Sequence, residues 1–113
     1  MTVARVLVAI EPQMYRQVLA FDIRKQRPRS AVVLASPETL ETEAKRMMPH
    51  LIIANEVPPK LKEMCFWVEV HTGGESLNAD VSANGISTTI YDVSLQDLLA
   101  VVDKAEEELA HGS

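Results

Sequence analysis

The chain has 113 residues, of which 47% are apolar, and a formal net charge of −5. This length suits one domain with its own buried core, so we take residues 1–113 as a single domain. No apolar run reaches the about 18 residues that a membrane span needs, and the acidic balance disfavours a nucleic-acid binder, because such proteins neutralise phosphates with Lys and Arg.

The first half of the chain alternates between strand and helix patterns. Strands are predicted over residues 3–10, 30–35 and 51–54, and helices over residues 11–27 and 36–48. The strand segments are short, apolar and β-branched with little alternation, which is typical of strands buried on both faces. The first helix carries apolar residues at spacings of three and four, and the second begins with an N-cap serine and a first-turn proline.

The second half breaks this alternation. Only one or two helical turns fit between Pro59 and the apolar run at residues 65–70, and the polar stretch 71–83 has no helical stripe, so the third and fourth helices should be short or absent. Apolar and polar residues alternate on both sides of the Asn-Gly pair at residues 84–85, which indicates a β-hairpin. Residues 94–109 combine a capping-box spacing with helical periodicity and predict a C-terminal helix.

The order of these elements predicts an α/β fold. We expect three layers of the flavodoxin-like or receiver-like type, in which helices cover both faces of a mainly parallel five-stranded sheet, with the hairpin as an optional C-terminal element. In sheets of this kind, binding sites lie at the carboxyl ends of the strands. That edge is therefore where we look for functional side chains.

Three runs of sequence resemble the receiver domain of bacterial response regulators. Residues 6–12, VLVAIEP, resemble its first strand, which ends in an acidic cluster. Residues 49–59, PHLIIANEVPP, resemble its third strand, with the phosphoacceptor position and a proline four residues later. Residues 91–99, YDVSLQDLL, resemble the approach to its last helix. The order of the three runs carries the resemblance, because many α/β sheets contain strands of each kind.

The resemblance implies a degenerate phosphorylation site. Asn55 stands at the phosphoacceptor position, where active receivers have aspartate, and a neutral amide is a poor nucleophile towards a phosphoryl group. Glu11 is the single acid where active receivers pair two acids to hold Mg²⁺. Thr72 matches the switching hydroxyl residue, whereas Tyr91 or Asp92 replaces the basic residue that contacts the phosphoryl oxygens. We therefore expect a degenerate pocket of Glu11, Asn55, Thr72 and Tyr91, with no metal, cofactor or catalytic residue.

The function implied by the resemblance is a phosphorylation-independent signalling or protein-interaction module of the two-component type. Such a pseudo-receiver would not be an enzyme, and we expect it in the cytoplasm, because residues 1–10 lack the features of a signal peptide. An alternative is a small flavodoxin-like domain or enzyme that binds a flavin, a nucleotide or an anion. Its site would be the glycine-containing loop 72–76, beside Glu11 and Asn55.

The distribution of charge favours a protein partner, with a second copy of the chain as one candidate. Residues 1–62 hold ten Lys and Arg against six acids, whereas residues 63–113 hold one against ten. Such asymmetry can steer oppositely charged surfaces together, although the halves of a sequence need not be the halves of a molecule. A homodimer through a sheet edge near Trp67 or through the C-terminal helix is a further hypothesis.

The histidines and the cysteine give little indication of a metal site or of a reactive thiol. His50, His71 and His111 lack the close spacing with other ligands that metal sites need, except that His71 lies two residues after Glu69 on one strand face. We interpret them as surface histidines. Cys65 lies in an apolar run, where a buried and unreactive thiol is the common arrangement.

Overall fold

The computed structural model describes residues 3–71, 76–83 and 85–112. Within them, the strands are β1 (Arg5–Ala9), β2 (Ala31–Leu34), β3 (Leu51–Ala54), β4 (Phe66–His71), β5 (Asn78–Ala83) and β6 (Ile86–Ile90). The helices are α1 (Gln13–Gln26), α2 (Leu40–Met47), α3 (Pro59–Lys62) and α4 (Leu95–Gly112). None of the helices in this part of the chain combines the length and apolar character that crossing a membrane requires.

The strands form one sheet in the order β2-β1-β3-β4-β5-β6, which changes from parallel to antiparallel at β4. β1 pairs in parallel with β2 on one side and with β3 on the other, and β3 pairs in parallel with β4. β5 is antiparallel to β4, and β6 is antiparallel to β5. Because the chain passes from β1 to β2 and then returns to β3 on the far side of β1, the topological switch point lies between β1 and β3.

The prediction of a mainly parallel five-stranded sheet of the flavodoxin-like or receiver-like type is wrong. The sheet has six strands, and β4, β5 and β6 are antiparallel neighbours. Only residues 72–77 separate β4 from β5, whereas a parallel crossover needs about a dozen residues or more. The chain therefore has to reverse direction after β4, and β5 joins the sheet as an antiparallel strand.

The hairpin indicated by the alternating pattern is present. β5 and β6 pair from Ala79 opposite Ile90 to Ala83 opposite Ile86. Gly85 has a φ of +76°, a left-handed conformation that glycine adopts without steric cost, and Asn84 lies outside the described residues. The third helix is indeed short, since α3 has four residues. No helix lies between β4 and β6 within the described part of the chain.

Helices cover both faces of the parallel part of the sheet. Val8 and Ile53 point towards the face on which α1 and α4 pack, and Leu7 and Ile52 point towards α2 and α3. Alternate residues of a strand point to opposite faces, so covering both faces buries every position of β3 and every position of β1 after the half-buried Arg5. This explains why the buried parts of the two strands are continuous apolar runs in the sequence.

The antiparallel part of the sheet has a different character on its two faces. Val68 in β4 and Val81 in β5 are buried in the core that includes α4. Their neighbours Glu69 and Asp80 point to the opposite face because side chains alternate along a strand. That face is polar, since α3 is one turn long and does not extend far across it.

Candidate functional site

The carboxyl ends of β1, β3 and β4 meet at the switch point of the sheet, where α/β proteins usually bind ligands. Glu11 lies just beyond β1, and Asn55 follows β3 directly. The parallel pairing of these strands brings both residues to one edge, and the Glu11 backbone N–H contacts the Asn55 side chain at 2.6 Å. These two members of the predicted pocket are therefore neighbours.

The Asn55 side chain links three strand ends through one amide group. Its Oδ1 accepts a hydrogen bond from the Glu11 backbone N–H at 2.6 Å, and its Nδ2 donates to the Val70 carbonyl oxygen at 3.0 Å. An amide carries a donor and an acceptor on the same planar group, whereas an ionised carboxylate can only accept. The geometry therefore explains why an amide occupies this position: it must satisfy both a backbone N–H and a backbone C=O.

Of the other two residues of the predicted pocket, only Tyr91 is described. It follows β6 with 75% of its surface exposed, and it is not among the described residues that line the space beside Asn55. Thr72 lies outside the described residues. Among the residues that the structure describes, the predicted pocket is thus reduced to Glu11 and Asn55.

A mainly apolar cleft of about 160 Å³ opens beside Asn55. Tyr15 and Val18 of α1 form one wall, and Leu95 and Leu98 of α4 form the other. The floor is formed by the strand ends and by the loops that follow them. The cleft therefore lies between the first turns of the two helices, at the same edge of the sheet as the switch point.

Large apolar side chains continue from this cleft across the outer side of α1. Met14, Tyr15, Val18 and Phe21 are exposed, with 64% of Phe21 and 75% of Met14 accessible to solvent. Met14, Val18 and Phe21 follow at spacings of four and three, which places them in one row along the helix. We call these four residues the α1 apolar surface.

The α1 apolar surface corrects an expectation from the sequence. The periodicity predicted an amphipathic helix, yet its apolar residues fall on two sides. Leu19, Ala20 and Ile23 are buried against the sheet. Met14 and Ile23 are nine residues apart, which at about 100° per residue places them on opposite sides of the helix. The pattern could have revealed the second stripe, because no single face accommodates every apolar residue of α1.

Two contacts hold α4 beside α1 at the opposite end of this helix pair. The Arg27 guanidinium donates hydrogen bonds to the Asp103 carboxylate at 2.6 and 3.0 Å, which raises the pKa of Arg27. The Ser30 hydroxyl donates to a Glu106 carboxylate oxygen at 2.7 Å. Both contacts join segments 76 residues apart in the sequence. They fix the relative position of the helices whose other ends form the cleft.

Cys65 has the environment expected of an inert thiol. Its side chain is partly buried, and Sγ lies 3.7 Å from the Leu61 carbonyl oxygen. Burial raises the pKa of the thiol to about 11. The thiolate is the reactive form, so Cys65 is almost entirely protonated at neutral pH and is a poor nucleophile.

Comparison with known proteins provides information about the fold alone. No protein-family model matches the chain, and no curated protein matches it. Among solved structures, the chain is similar to the crystal structure of a variant of HypX from Aquifex aeolicus, with a TM-score of 0.56 and 11% sequence identity. The match covers 99% of this chain and 28% of the HypX chain, so the chain spans little more than a quarter of that protein.

Proposed function

We propose that this chain is a phosphorylation-independent protein-interaction module that binds its partner through the α1 apolar surface. The observation that carries the proposal is the exposure of Met14, Val18 and Phe21 in one row on the side of α1 away from the core. Contiguous exposed apolar patches on a folded domain commonly mark interaction sites. The likeness of three sequence runs to receiver domains supports a role in signal transduction, and we include a cytoplasmic location in the proposal.

The cleft beside the α1 apolar surface favours a protein partner over a flavin or a nucleotide. Small-molecule and cofactor sites usually have volumes of about 300–1,000 Å³, whereas this cleft has about 160 Å³. A cleft of that size suits one anchoring apolar side chain. An amphipathic helix of the partner, laid along α1, could place such an anchor between Val18 and Leu98.

The energetics support an interaction of moderate strength. Burying the exposed parts of Met14, Val18 and Phe21 contributes on the order of 1–2 kcal/mol each. Association itself costs about 4–15 kcal/mol in lost translational and rotational freedom. The three side chains of this row alone therefore give weak binding. Contacts inside the cleft have to supply the rest of the binding free energy.

The arrangement around Asn55 supports independence from phosphorylation. Both polar groups of its amide are engaged by backbone, at 2.6 Å to the Glu11 N–H and 3.0 Å to the Val70 carbonyl. A side chain in this state offers no nucleophilic oxygen and contributes no charge to a metal site. The position therefore acts as a structural link between strand ends in our proposal.

The experiment that tests the proposal compares partner capture by three variants. The wild-type chain, Phe21→Glu, Val18→Glu and Gln13→Glu are immobilised and exposed to extract of the source cells, and bound proteins are quantified by mass spectrometry. Gln13 is exposed on the same helix but outside the α1 apolar surface, so it controls for the added charge.

The expected result is a partner retained by the wild type and by Gln13→Glu but lost with Phe21→Glu and Val18→Glu. A partner that all four chains retain equally would contradict the proposed surface. A second copy of the chain as the captured protein would identify the module as a homodimer through α1, and sedimentation of the same variants would then show the dimer lost with Phe21→Glu.

A further inference from the structure

Three side chains with metal-ligand chemistry converge on the polar face of the antiparallel part of the sheet. Glu69 and His71 are two residues apart in β4, so both point to this face. Asp80 in β5 lies directly opposite Glu69 and diagonally from His71. Directly opposite residues of an antiparallel pair have Cβ atoms about 4.5–5.5 Å apart, which lets their side chains meet.

The distances between these groups are close to those around a single ion. The ligand atoms of Glu69, His71 and Asp80 all lie within 4.8 Å of one another. His71 Nε2 is 3.0 Å from an Asp80 carboxylate oxygen. Nitrogen and oxygen ligands bind Zn²⁺ at about 2.0–2.2 Å, so the ligand atoms around one ion stand about 3–3.5 Å apart. The His71–Asp80 pair already has about that spacing, and Glu69 lies within 4.8 Å of both.

Both carboxylates are oriented by groups outside the cluster. The Val57 backbone N–H donates to Glu69 at 2.9 Å, and the Thr89 hydroxyl donates to Asp80 at 2.8 Å. Hydrogen bonds of this kind to ligating carboxylates are characteristic of metal sites, because they fix the direction of the remaining oxygen. The Glu69 side chain is 12% exposed and that of Asp80 is 43% exposed, so the cluster is anchored at one end and open to water at the other.

Lys62 places a positive charge beside the carboxylate of Glu69 in this cluster. Its Nζ lies 3.2 Å from Glu69 Oε2 and 4.4 Å from the centre of the Trp67 ring. A divalent ion at the cluster would compete with the ammonium group for Glu69. The Trp67 ring offers Lys62 a second favourable contact, since aromatic faces attract cations.

We propose that Glu69, His71 and Asp80 bind one divalent transition-metal ion of the Zn²⁺ class, with water completing its coordination. The imidazole of His71 identifies the class of ion, because imidazole ligands suit Zn²⁺ and related ions whereas Mg²⁺ is bound through oxygen atoms. The ion joins β4 to β5 and so stabilises the antiparallel extension of the sheet. The site is independent of the α1 apolar surface, from which it is separated by the sheet.

The test is titration with Zn²⁺ followed by calorimetry, together with quenching of tryptophan fluorescence by Co²⁺. Trp67 is the single tryptophan of the chain and lies two residues before Glu69 on the same face. The wild type should bind one ion. His71→Gln and Asp80→Asn should each weaken binding by about tenfold or more. Lys62→Met should strengthen it, because the competing cation is removed.

His111→Ala is the matched control, since it removes a histidine near the end of α4, and it should bind Zn²⁺ as the wild type does. Circular dichroism checks that His71→Gln and Asp80→Asn, which keep the side-chain volume, remain folded. The proposal is overturned if no stoichiometric binding occurs, or if folded His71→Gln binds with unchanged affinity. Displacement of Zn²⁺ by an equal concentration of Mg²⁺ would overturn the assignment of the ion.

Discussion

Asn55 shows how a single side chain can determine which chemistry a sheet edge supports. Its amide accepts from the Glu11 N–H and donates to the Val70 carbonyl, so both of its polar groups are committed to the backbone. An aspartate could keep the first contact but would turn a negative oxygen towards the Val70 carbonyl. The residue that a phosphoacceptor site needs is therefore the residue that this backbone arrangement disfavours.

We predict that Asn55→Asp destabilises the chain without making it a phosphoacceptor. The lost hydrogen bond and the unpaired Val70 carbonyl should lower the free energy of unfolding by about 1–3 kcal/mol at neutral pH. Urea denaturation measures this change. Intact-mass measurement after incubation with acetyl phosphate and Mg²⁺ should show no added phosphoryl group on the variant or on the wild type.

The pH dependence of Asn55→Asp separates this explanation from a general packing defect. The introduced carboxyl can donate to Val70 only when protonated, so its folded pKa should lie above the ordinary value of about 3.9. A raised folded pKa gives stability that is present at low pH and lost as pH rises. The deficit relative to wild type should therefore shrink towards pH 4, whereas a constant deficit, or phosphate uptake, would contradict the assigned role of Asn55.

His50 predicts a second pH effect, of independent origin. Its Nδ1 accepts a hydrogen bond from the Arg5 backbone N–H at 2.9 Å, and burial, followed by the nearby Arg5 charge, lowers the pKa of the imidazole. The unfolded chain takes up this proton near pH 6.5, whereas the folded chain resists it. Because the unfolded state then binds more protons, the free energy of unfolding should fall as pH drops below about 6.5.

His50→Asn keeps an acceptor for the Arg5 N–H but cannot titrate. We expect the variant to lose less stability than the wild type between about pH 7 and pH 5, as measured by urea denaturation at each pH. The carboxylates titrate in both proteins, so the comparison isolates the histidine. Equal losses in the two proteins would assign the pH dependence to other groups.

The central strands could be predicted from the sequence because a strand buried on both faces appears as a run of consecutive apolar residues. β1 and β3 lie between two helical layers, and both are apolar runs except for Arg5 at the start of β1. The capping box before α4 was equally local, and the Ser94 and Asp97 side chains do hydrogen-bond each other's backbone N–H groups. Features set by neighbours in sequence were thus predictable.

The antiparallel pairing of β5 with β4 was missed because the pattern of a strand does not show which other strand lies beside it. Alternation along Asn78–Ala83 indicates one buried face, and together with residues 84–85 it predicted the hairpin with β6 but not the pairing with β4. The deciding constraint was the short connection of residues 72–77, which excludes a crossover. The cluster of Glu69, His71 and Asp80 was missed for the same reason, because only the register of β4 with β5 brings Asp80 to the other two.

The end of α2 gives a prediction about the backbone. Met48 follows this helix with a φ of 51°, a left-handed conformation that costs a side-chain-bearing residue about 1–2 kcal/mol. Glycine removes this cost but adds freedom to the unfolded chain, so Met48→Gly should raise the free energy of unfolding by about 0.5–1 kcal/mol. The exposed Met48 side chain contributes little packing that would be lost.

Met64→Gly is the matched control for this change. Met64 is also an exposed methionine that follows a helix, but its φ is not positive, so glycine brings only the entropic cost. Thermal unfolding should show a higher midpoint for Met48→Gly and an unchanged or lower one for Met64→Gly. A stability change of the same sign in both variants would contradict the role of the left-handed conformation.

At the scale of the whole chain, some basic side chains of the first half of the sequence pair with acidic side chains of the second half. The basic end of α1 meets the acidic α4, where Arg27 binds Asp103 and Ser30 binds Glu106. An ion pair at the surface, such as Arg27 with Asp103, adds little to stability. Their main effect here is positional, because they set α4 beside α1. Residues from the two differently charged halves of the sequence therefore contact each other in the fold.

The molecule also divides its apolar residues between a core and the α1 apolar surface, and two substitutions on one helix can separate these roles. Leu19 is buried and Phe21 is 64% exposed. Leu19→Ala should lower the free energy of unfolding by about 2–5 kcal/mol, because it leaves a cavity in the core. Phe21→Glu should change it by no more than about 0.5 kcal/mol and should reduce binding of a hydrophobic dye. A large destabilisation by Phe21→Glu would mean that Phe21 supports the fold rather than a partner.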